Sequence, residues 1–374
     1  MVKPDKKIKV APRDISGRPR VAVAMSGGVD SSVAAMLLQR QGYDVHGFFM
    51  RNWSELSDID NFCPWQKDYE DVRRVCQHLG IPYGTFNFEK EYKDRVLNYF
   101  LSEYQAGRIP NPDVLCNSEI KFNLFLDKVK SLGFQYMATG HYAKTQTIAD
   151  ATRTSADIRL VNPKDSEKDQ TYFLCRLTAQ QLENVIFPLA DLTKSEVRAI
   201  AKEAGLPNAE KKDSQGICFI GKLPVREFLK RNLKVTEGKV LATDGRILGS
   251  HEGSQLYAIG QRHIGVAANG APVYVIEKDV KENVVVMGEE EKLFSNEVSF
   301  KHANWFARLQ ENFECEVQIR YRTKTIPAKI TFQHSPEYEN VGVVKLETPA
   351  RAVTPGQYLA FYKDNALIGS AVIA

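Results

Sequence analysis

The sequence predicts an α/β protein: a doubly wound, mostly parallel sheet, followed by a small central α+β domain and a C-terminal antiparallel β-barrel. Three observations predict it. Apolar strand-like runs alternate with helix-like runs from Val21 to Thr139, the pattern of βαβ units. The stretch VAVAMSGGVDSS, Val21 to Ser32, carries an apolar strand through a Ser/Gly turn straight into a helix. From about Asn296 the chain turns to short alternating strands separated by turn residues, as small barrels do. At 374 residues the chain exceeds one compact domain. The expected divisions are a flexible extension over 1–19 and domains over 20–222, 223–291 and 292–374.

Each element follows from its residues. Strands are expected at Val21–Met25, Val45–Met50, Tyr83–Asn87 and Tyr136–Thr139, and helices at Ser31–Arg40, Lys67–Leu79, Glu89–Gln105 and Glu119–Leu132. Ligands of such sheets collect beyond the C-terminal strand ends. That rule puts the Ser26–Ser32 turn, the Met50–Trp53 exit and the Gly140-His141 exit on one rim. Beyond the flexible extension, the long loop Asn52–Trp65 is the one segment expected to be mobile. Thr193 with Glu196 reads as a capping box opening a helix that Gly205 closes. Pro224 stands where a helical turn begins, ahead of Phe228 and Leu229. Val240–Leu248 reads as a hairpin turning on Asp244-Gly245, and a mixed segment continues through Gln261-Arg262-His263 to Met287. Alternation then marks Cys315–Tyr321, Ala328–Phe332 and Val343–Glu347 as barrel strands.

Composition excludes several classes. With 43% hydrophobic and 26% charged residues the chain has the balance of a soluble globular protein, and no apolar run reaches membrane-spanning length. The lysine-rich start lacks the apolar core of a secretory signal, and Asp5 and Asp14 argue against a transit peptide. Six cysteines, Cys63, Cys76, Cys116, Cys175, Cys218 and Cys315, form no C-x-x-C pair. Neither a disulfide framework nor a metal site is read from them, and a reducing cytoplasm suits them. The net charge of +4 is mild, but Arg198–Lys239 holds ten basic and five acidic residues, a patch suited to a phosphate backbone or simply a solvated face.

Three segments carry chemistry. In Ser26–Ser32, Gly27 and Gly28 let the backbone come close to a ligand. The hydroxyls of Ser26, Ser31 and Ser32 and the freed amides then face an anion at a helix N-terminus. The pattern is neither G-x-x-x-x-G-K-[ST] nor G-x-G-x-x-G; the plainer alternative is an ordinary strand-to-helix turn. In Arg108–Phe122, Pro110 and Pro112 predict a rigid non-helical turn. Cys116 then stands just before the helix of Glu119–Leu132, where a thiol pKa is lowered, and Asp113 is placed to handle a proton. The alternative is a capping loop with a buried cysteine. In Lys211–Gly221, Cys218 lies in an apolar tetrad between glycines, which suits a core cysteine or, beside Cys116 and a phosphate loop, a sulfur relay through a persulfide. Two lysines, Lys211 and Lys212, precede it.

SGGVDSS is similar to the pyrophosphate loop of the ATP-pyrophosphatase superfamily. Together with NPDVLCN-x-x-IKF, TGHYA, KDQTYFL and KDSQGICFIG, it makes the chain resemble the bacterial tRNA-specific 2-thiouridylase family. The resemblance runs from about Val21 to the C-terminus and includes Arg320-Tyr321-Arg322 and Thr354-Pro355-Gly356-Gln357. It implies an adenine nucleotide hydrolase-like fold and ATP-dependent 2-thiolation of the wobble uridine of tRNA in the cytoplasm. ATP, with Mg2+, would be held by Ala24, Met25, Ser26, Gly27, Gly28, Val29, Asp30 and Ser31, helped by Met50 and Gly140, with no tightly bound cofactor. Cys116 would be the nucleophile, Cys218 the persulfide carrier and Asp113 an acid or base. Asn111, Pro112 and Asp113, His141, Lys168, Asp169 and Gln170, Arg320 and Tyr321, and Gln357 match the family's tRNA contacts. With tRNA as substrate, Lys211, Lys212 and the Arg320-Tyr321 pair are expected to share one face with the Cys116 pocket and meet RNA phosphates. Partners implied are tRNA and a persulfide-donating protein, a cysteine desulfurase or sulfur relay protein, with no membrane. The segment Gln261–Gly265 departs from the family's commoner wording. Other readings of the same residues are an amidating or ligating enzyme of the superfamily, a nucleotide-regulated RNA-binding module, and an iron–sulfur site at Cys116 and Cys218.

Overall fold

The computed structural model describes residues 17–53, 64–148, 157–213, 224–266, 272–306, 312–333 and 340–374. Cys63, Cys218, most of the Asn52–Trp65 loop and residues 1–16 of the expected extension lie outside the described residues. By contacts the chain forms two units, Met1–Lys93 with Cys116–Gly221, and Asp94–Leu115 with Lys222–Ala374.

The first unit is built on a parallel sheet in the order β3-β2-β1-β4-β7. Its strands are β1 (Arg20–Met25), β2 (Asp44–Arg51), β3 (Tyr83–Asn87), β4 (Tyr136–Ala138) and β7 (Val185–Ile186). The chain winds outward from β1 to one edge and returns to the other side, so the order reverses between β1 and β4, the switch point where doubly wound sheets bind ligands. Both faces are covered, because alternate residues of β2 point to opposite sides. Val45 and Phe49 join Val21, Val23 and Met25 in a core with Leu38 of helix α1 (Val29–Arg40) and Val72, Val75 and Cys76 of helix α2 (Pro64–Leu79). Phe48 faces the other way, stacked on Phe86 with centroids 4.8 Å apart and edge-on to Phe125 and Phe134. A hairpin, β5 (Lys144–Ile148) with β6 (Asp157–Val161), follows β4. The expected capping box is present: Thr193 and Glu196 cap the helix Lys194–Glu203 reciprocally, and Gly205 follows it at φ +63°.

In the second unit, Pro224 precedes the helix Val225–Asn232. A mixed sheet then runs β10-β11-β8-β9, built from β8 (Gly238–Ala242), β9 (Ile247–His251), β10 (Tyr274–Asp279) and β11 (Val284–Gly288). The β8–β9 turn is the expected Asp-Gly hairpin, with Gly245 at φ +85°. Six strands follow: β12 (Phe294–Trp305), β13 (Asn312–Gln318), β14 (Ile326–Gln333), β15 (Val341–Arg351), β16 (Tyr358–Lys363) and β17 (Ala366–Ile373). They close antiparallel in the order 12-15-14-13-16-17 and back to 12. Closure removes the exposed edges an open sheet would leave. Phe300, Val317, Ile330, Val344 and Phe361 fill the barrel. The segment Asp94–Leu115 belongs to this unit through the ring contact of Phe100 with Phe228, at 6.3 Å, and the bond from Ile109 N to Pro355 O, at 2.8 Å.

Candidate active site

The turn after β1 is where the sequence places an anion cradle. Gly27 has φ +76°, and a Cβ there would lie 2.5 Å from the backbone oxygen of Asp68, so only glycine fits. Gly28 is the N-cap of α1. The Ser26 amide donates to Ser31 Oγ at 3.3 Å, while the Ser31 and Ser32 hydroxyls donate to Gly28 O at 3.2 and 2.9 Å. With these hydroxyls turned inward to hold the loop, the first amides of α1 project from the helix end with its positive dipole. Gly140, beyond β4, approaches so closely that a Cβ would sit 2.6 Å from Ser31 N. Met25 pairs with Phe49 in the β1–β2 register and Val23 with Ala138 in the β1–β4 register, which puts the Ser26 turn, Met50 and Gly140 at one end of the sheet, as expected.

A charged network holds Asp30. Lys194 Nζ lies 2.7 Å from both of its carboxylate oxygens, and the Tyr142 hydroxyl donates to one of them at 3.0 Å. The Lys194 side chain is only 12% exposed and also reaches Asp213 at 2.8 Å. Arg198 and Lys168 complete the set around Asp213, at 2.7 and 3.1 Å. Burial pushes the Asp213 carboxyl up, but hydrogen bonds from Lys194 and Lys168 win and hold it down to about 2. Behind the loop, the Gly27 carbonyl accepts from Asn208 Nδ2 at 2.9 Å and Lys211 Nζ at 3.2 Å. Lys211 also pairs with Asp68 and Asp71, each at 2.7 Å. This corrects the expectation that Lys211 meets RNA phosphate: its charge is spent within the first unit on two carboxylates and a carbonyl.

The segment around Cys116 also differs from expectation. Helix begins at Pro112, not Glu119: Pro112–Leu115 runs into a π-wound stretch, Cys116–Phe125, and then Leu126–Ser131. Asn111 Oδ1 accepts from the amides of Asp113 and Val114 at 3.1 and 3.2 Å. Asn111 is thus the cap and Pro112 the first helical residue, where its missing N–H costs nothing. Cys116 therefore lies inside the helical run, not ahead of it, and is 2% exposed. Wide π-turns interrupt helices frequently at functional sites. Next to it, Asn117 Nδ2 donates to Phe173 O at 3.0 Å, tying the Cys116 helix to the KDQTYFL segment. Cys76 and Cys315 are buried thiols pushed up to about 12, and so inert.

His141, Asp169 and Gln170 gather in the first unit. His141 Nδ1 shares a 2.8 Å hydrogen bond with Thr139 Oγ1; desolvation, then the Lys121 charge, hold its pKa well below the usual value, so the imidazole is neutral. Gln170 Oε1 accepts from Tyr142 N at 2.9 Å, and Asp169 accepts from the Thr171 amide at 2.8 Å. Burial raises the pKa of Asp169. In the second unit, Gln357 Nε2 donates to Ile109 O at 2.7 Å, and Arg320 donates to Ala352 O and Thr354 Oγ1 at 3.2 and 3.1 Å. Gln357 thereby braces the turn that leads into Asn111-Pro112-Asp113, while Arg320 holds the Ala352–Thr354 segment. Arg322 lies over the Tyr321 ring at 5.2 Å.

Three family models match along the chain: a tRNA methyl transferase HUP domain over residues 19–222, a tRNA methyl transferase PRC-barrel domain over 226–289, and an aminomethyltransferase β-barrel domain over 295–373. The tRNA-specific 2-thiouridylase MnmA 1 of Geobacillus kaustophilus is 47% identical over 367 residues, 95% of each chain. The chain belongs to the tRNA-specific 2-thiouridylase family. The MnmA proteins of Bacillus licheniformis and Pediococcus pentosaceus are 46% identical over 363 residues and 45% over 369. The likeness spans both units of the fold, not the cradle alone. Among the described residues no helix is long and apolar enough to cross a membrane.

Local reading of the sequence missed Tyr142, Lys194 and Asn208, and misassigned Lys211. Lys194 follows a legible capping box, but nothing near it signals a partner 164 positions away. Asn208 likewise meets Gly27 across 181 positions. The Asn-Pro helix start was there to be read.

Proposed function

We propose that this protein is an ATP-dependent tRNA 2-thiouridylase that acts on the wobble uridine in the cytoplasm. The observation that carries the reading is the cradle of residues 26–31 in the same unit as the buried Cys116, within a chain of this family. ATP enters as its Mg2+ complex, with the β- and γ-phosphates in the cradle, and Met50 and Gly140 flank it. Oxygen is a poor leaving group at C2 of uracil, so direct exchange for sulfur is slow. Attack of that oxygen on the α-phosphorus expels pyrophosphate, whose charge the amides at the start of α1 receive. The terminal sulfur of a Cys218 persulfide then attacks C2, and AMP departs with the former C2 oxygen. The Cys116 thiolate attacks Cys218 Sγ and breaks the S–S bond; sulfur stays on C2, and a Cys116–Cys218 disulfide remains for an external thiol to reduce. Asp113 exchanges the proton. A persulfide-donating protein recharges Cys218. The base leaves its stack to enter, and Asn111, Pro112, His141, Lys168, Asp169, Gln170, Arg320, Tyr321 and Gln357 meet the tRNA by shape and backbone.

The test is mass spectrometry of tRNA nucleosides after incubation with ATP and a persulfide donor. The expected outcome is 2-thiouridine with AMP and pyrophosphate in equal amounts, lost in Cys116→Ser and Cys218→Ser. ADP and phosphate as products, or a methylated nucleoside without ATP consumption, would refute the reading. Mild oxidation should yield a peptide pair joined through Cys116 and Cys218.

A further inference from the structure

Two side chains with no assigned role converge on the rear of the cradle. Asn208, 5% exposed, donates from one amide nitrogen to Gly27 O at 2.9 Å and to Ser32 Oγ at 3.0 Å. Ser32 Oγ in turn donates to Gly28 O. Lys211 Nζ adds a second donor to Gly27 O at 3.2 Å and is itself held at 2.7 Å by Asp68 and Asp71 of α2. The carbonyl of Gly27 is therefore gripped from behind by an amide and an ammonium.

The consequence follows from the peptide plane. In a trans peptide the carbonyl and the following N–H point in opposite directions, so donors fixed behind Gly27 O aim the Gly28 N–H to the opposite side, where it meets Ser26 Oγ at 3.3 Å. Flanked by glycine on both sides, this peptide has little intrinsic preference for either orientation. Flipped, it would present a carbonyl oxygen to a polyphosphate in place of a donor. We propose that Asn208 and Lys211 are positioning residues that set the Gly27–Gly28 peptide and so preorganise the cradle for the polyphosphate of ATP. The inference rests on the nucleotide reading above and gives Lys211 a different task from RNA binding.

The test is equilibrium binding of ATP, pyrophosphate, adenosine and tRNA to the full chain, with melting temperature recorded for every variant. Asn208→Leu fills the space without a donor, Asn208→Ala empties it, Lys211→Met keeps the stem without the charge, and Lys211→Arg keeps a cationic donor. The Leu, Ala and Met variants should each bind ATP and pyrophosphate roughly tenfold more weakly, the equivalent of one lost hydrogen bond to a buried acceptor. Adenosine affinity, tRNA affinity and its salt dependence should stay unchanged, and Lys211→Arg should recover most of the loss. A packing role alone would rank Asn208→Leu near wild type and Asn208→Ala well below it, which overturns the proposal. So does Lys211→Met with wild-type ATP affinity and a flatter salt dependence of tRNA binding. If the Asn208 variants do not fold, the Lys211 pair decides. Wild-type protein that binds neither ATP nor pyrophosphate overturns the nucleotide reading and this inference together.

Discussion

Gly140→Ala should injure fold and nucleotide binding together, whereas Gly28→Ala should injure binding alone. At Gly140 a Cβ would lie 2.6 Å from Ser31 N, 2.7 Å from the Asp30 carbonyl carbon and 3.0 Å from Ser31 Cα. All are backbone atoms at the start of α1, so relief requires moving the helix or β4. Such overpacking costs about 1–3 kcal/mol, and each kcal/mol lowers the melting temperature by about 2–4 °C in a domain of about 150–250 residues. At Gly28 the backbone is extended, with φ −82°, and a Cβ would meet only Ser26 Oγ, at 3.3 Å. Its cost to the fold should stay under about 1 kcal/mol, mostly the weaker N-cap, yet the methyl stands at the mouth of the cradle. Calorimetry and titration with ATP separate the two cases. Expected are a Gly140→Ala protein several degrees less stable with weakened ATP binding, and a Gly28→Ala protein of near-native stability with ATP binding lost. If Gly140→Ala melts like wild type and binds ATP normally, the close approach of β4 to the cradle is not a real constraint.

Lys194→Met removes the ammonium from Asp30 but leaves Lys168 and Arg198 on Asp213. ATP-dependent turnover should fall at least about tenfold with unchanged circular dichroism; full activity would show that the Lys194–Asp30 pair does not shape the nucleotide site. Asp213 has a pKa depressed to about 2, so its contribution to stability is present above the unfolded value near 4 and is lost as pH falls toward 2. With its side chain 37% exposed, that contribution is about 1 kcal/mol after discounting for solvent screening. In denaturant unfolding, the gap between wild type and Asp213→Asn should therefore close between pH 4 and pH 2, and a gap constant with pH would refute the assignment. Gln357→Leu removes the donor to Ile109 O and should cost about 1 kcal/mol of stability. The same variant should bind tRNA more weakly while ATP affinity holds; an unchanged tRNA affinity would refute the part given to Gln357 in tRNA binding.

Much of the fold was legible because its signals are short-range. The β1 strand, the Gly27 turn and α1 are adjacent in the chain, and a positive φ at Gly27 is a property of one residue. The Thr193–Glu196 capping box and the Asp244-Gly245 hairpin are likewise local hydrogen-bonding solutions. The alternation of Ala328–Phe332 follows from the two-residue period of a strand with one face in the barrel. The helix holding Cys116 begins earlier than its prolines suggest, because Asn111 before Pro112 makes an ordinary cap. The tie of Asp94–Leu115 to the second unit had no local sign, since it depends on Phe228, Pro355 and Gln357 far along the chain.

The α/β sheet, the barrel, the position of the Ser/Gly turn and the family could all be read from the chain, because each is written in residue order or in motifs with fixed spacing. The partners of the charged side chains depend instead on how the chain folds back on itself. That folding gives Lys194 to Asp30 and Asp213, Asn208 and Lys211 to the Gly27 carbonyl, and Gln357 to the Ile109 turn. A lysine or asparagine carries the same donors wherever it stands. Strand order and helix packing choose the acceptor, and here the partners are 164, 181 and 248 positions apart for Lys194–Asp30, Asn208–Gly27 and Gln357–Ile109.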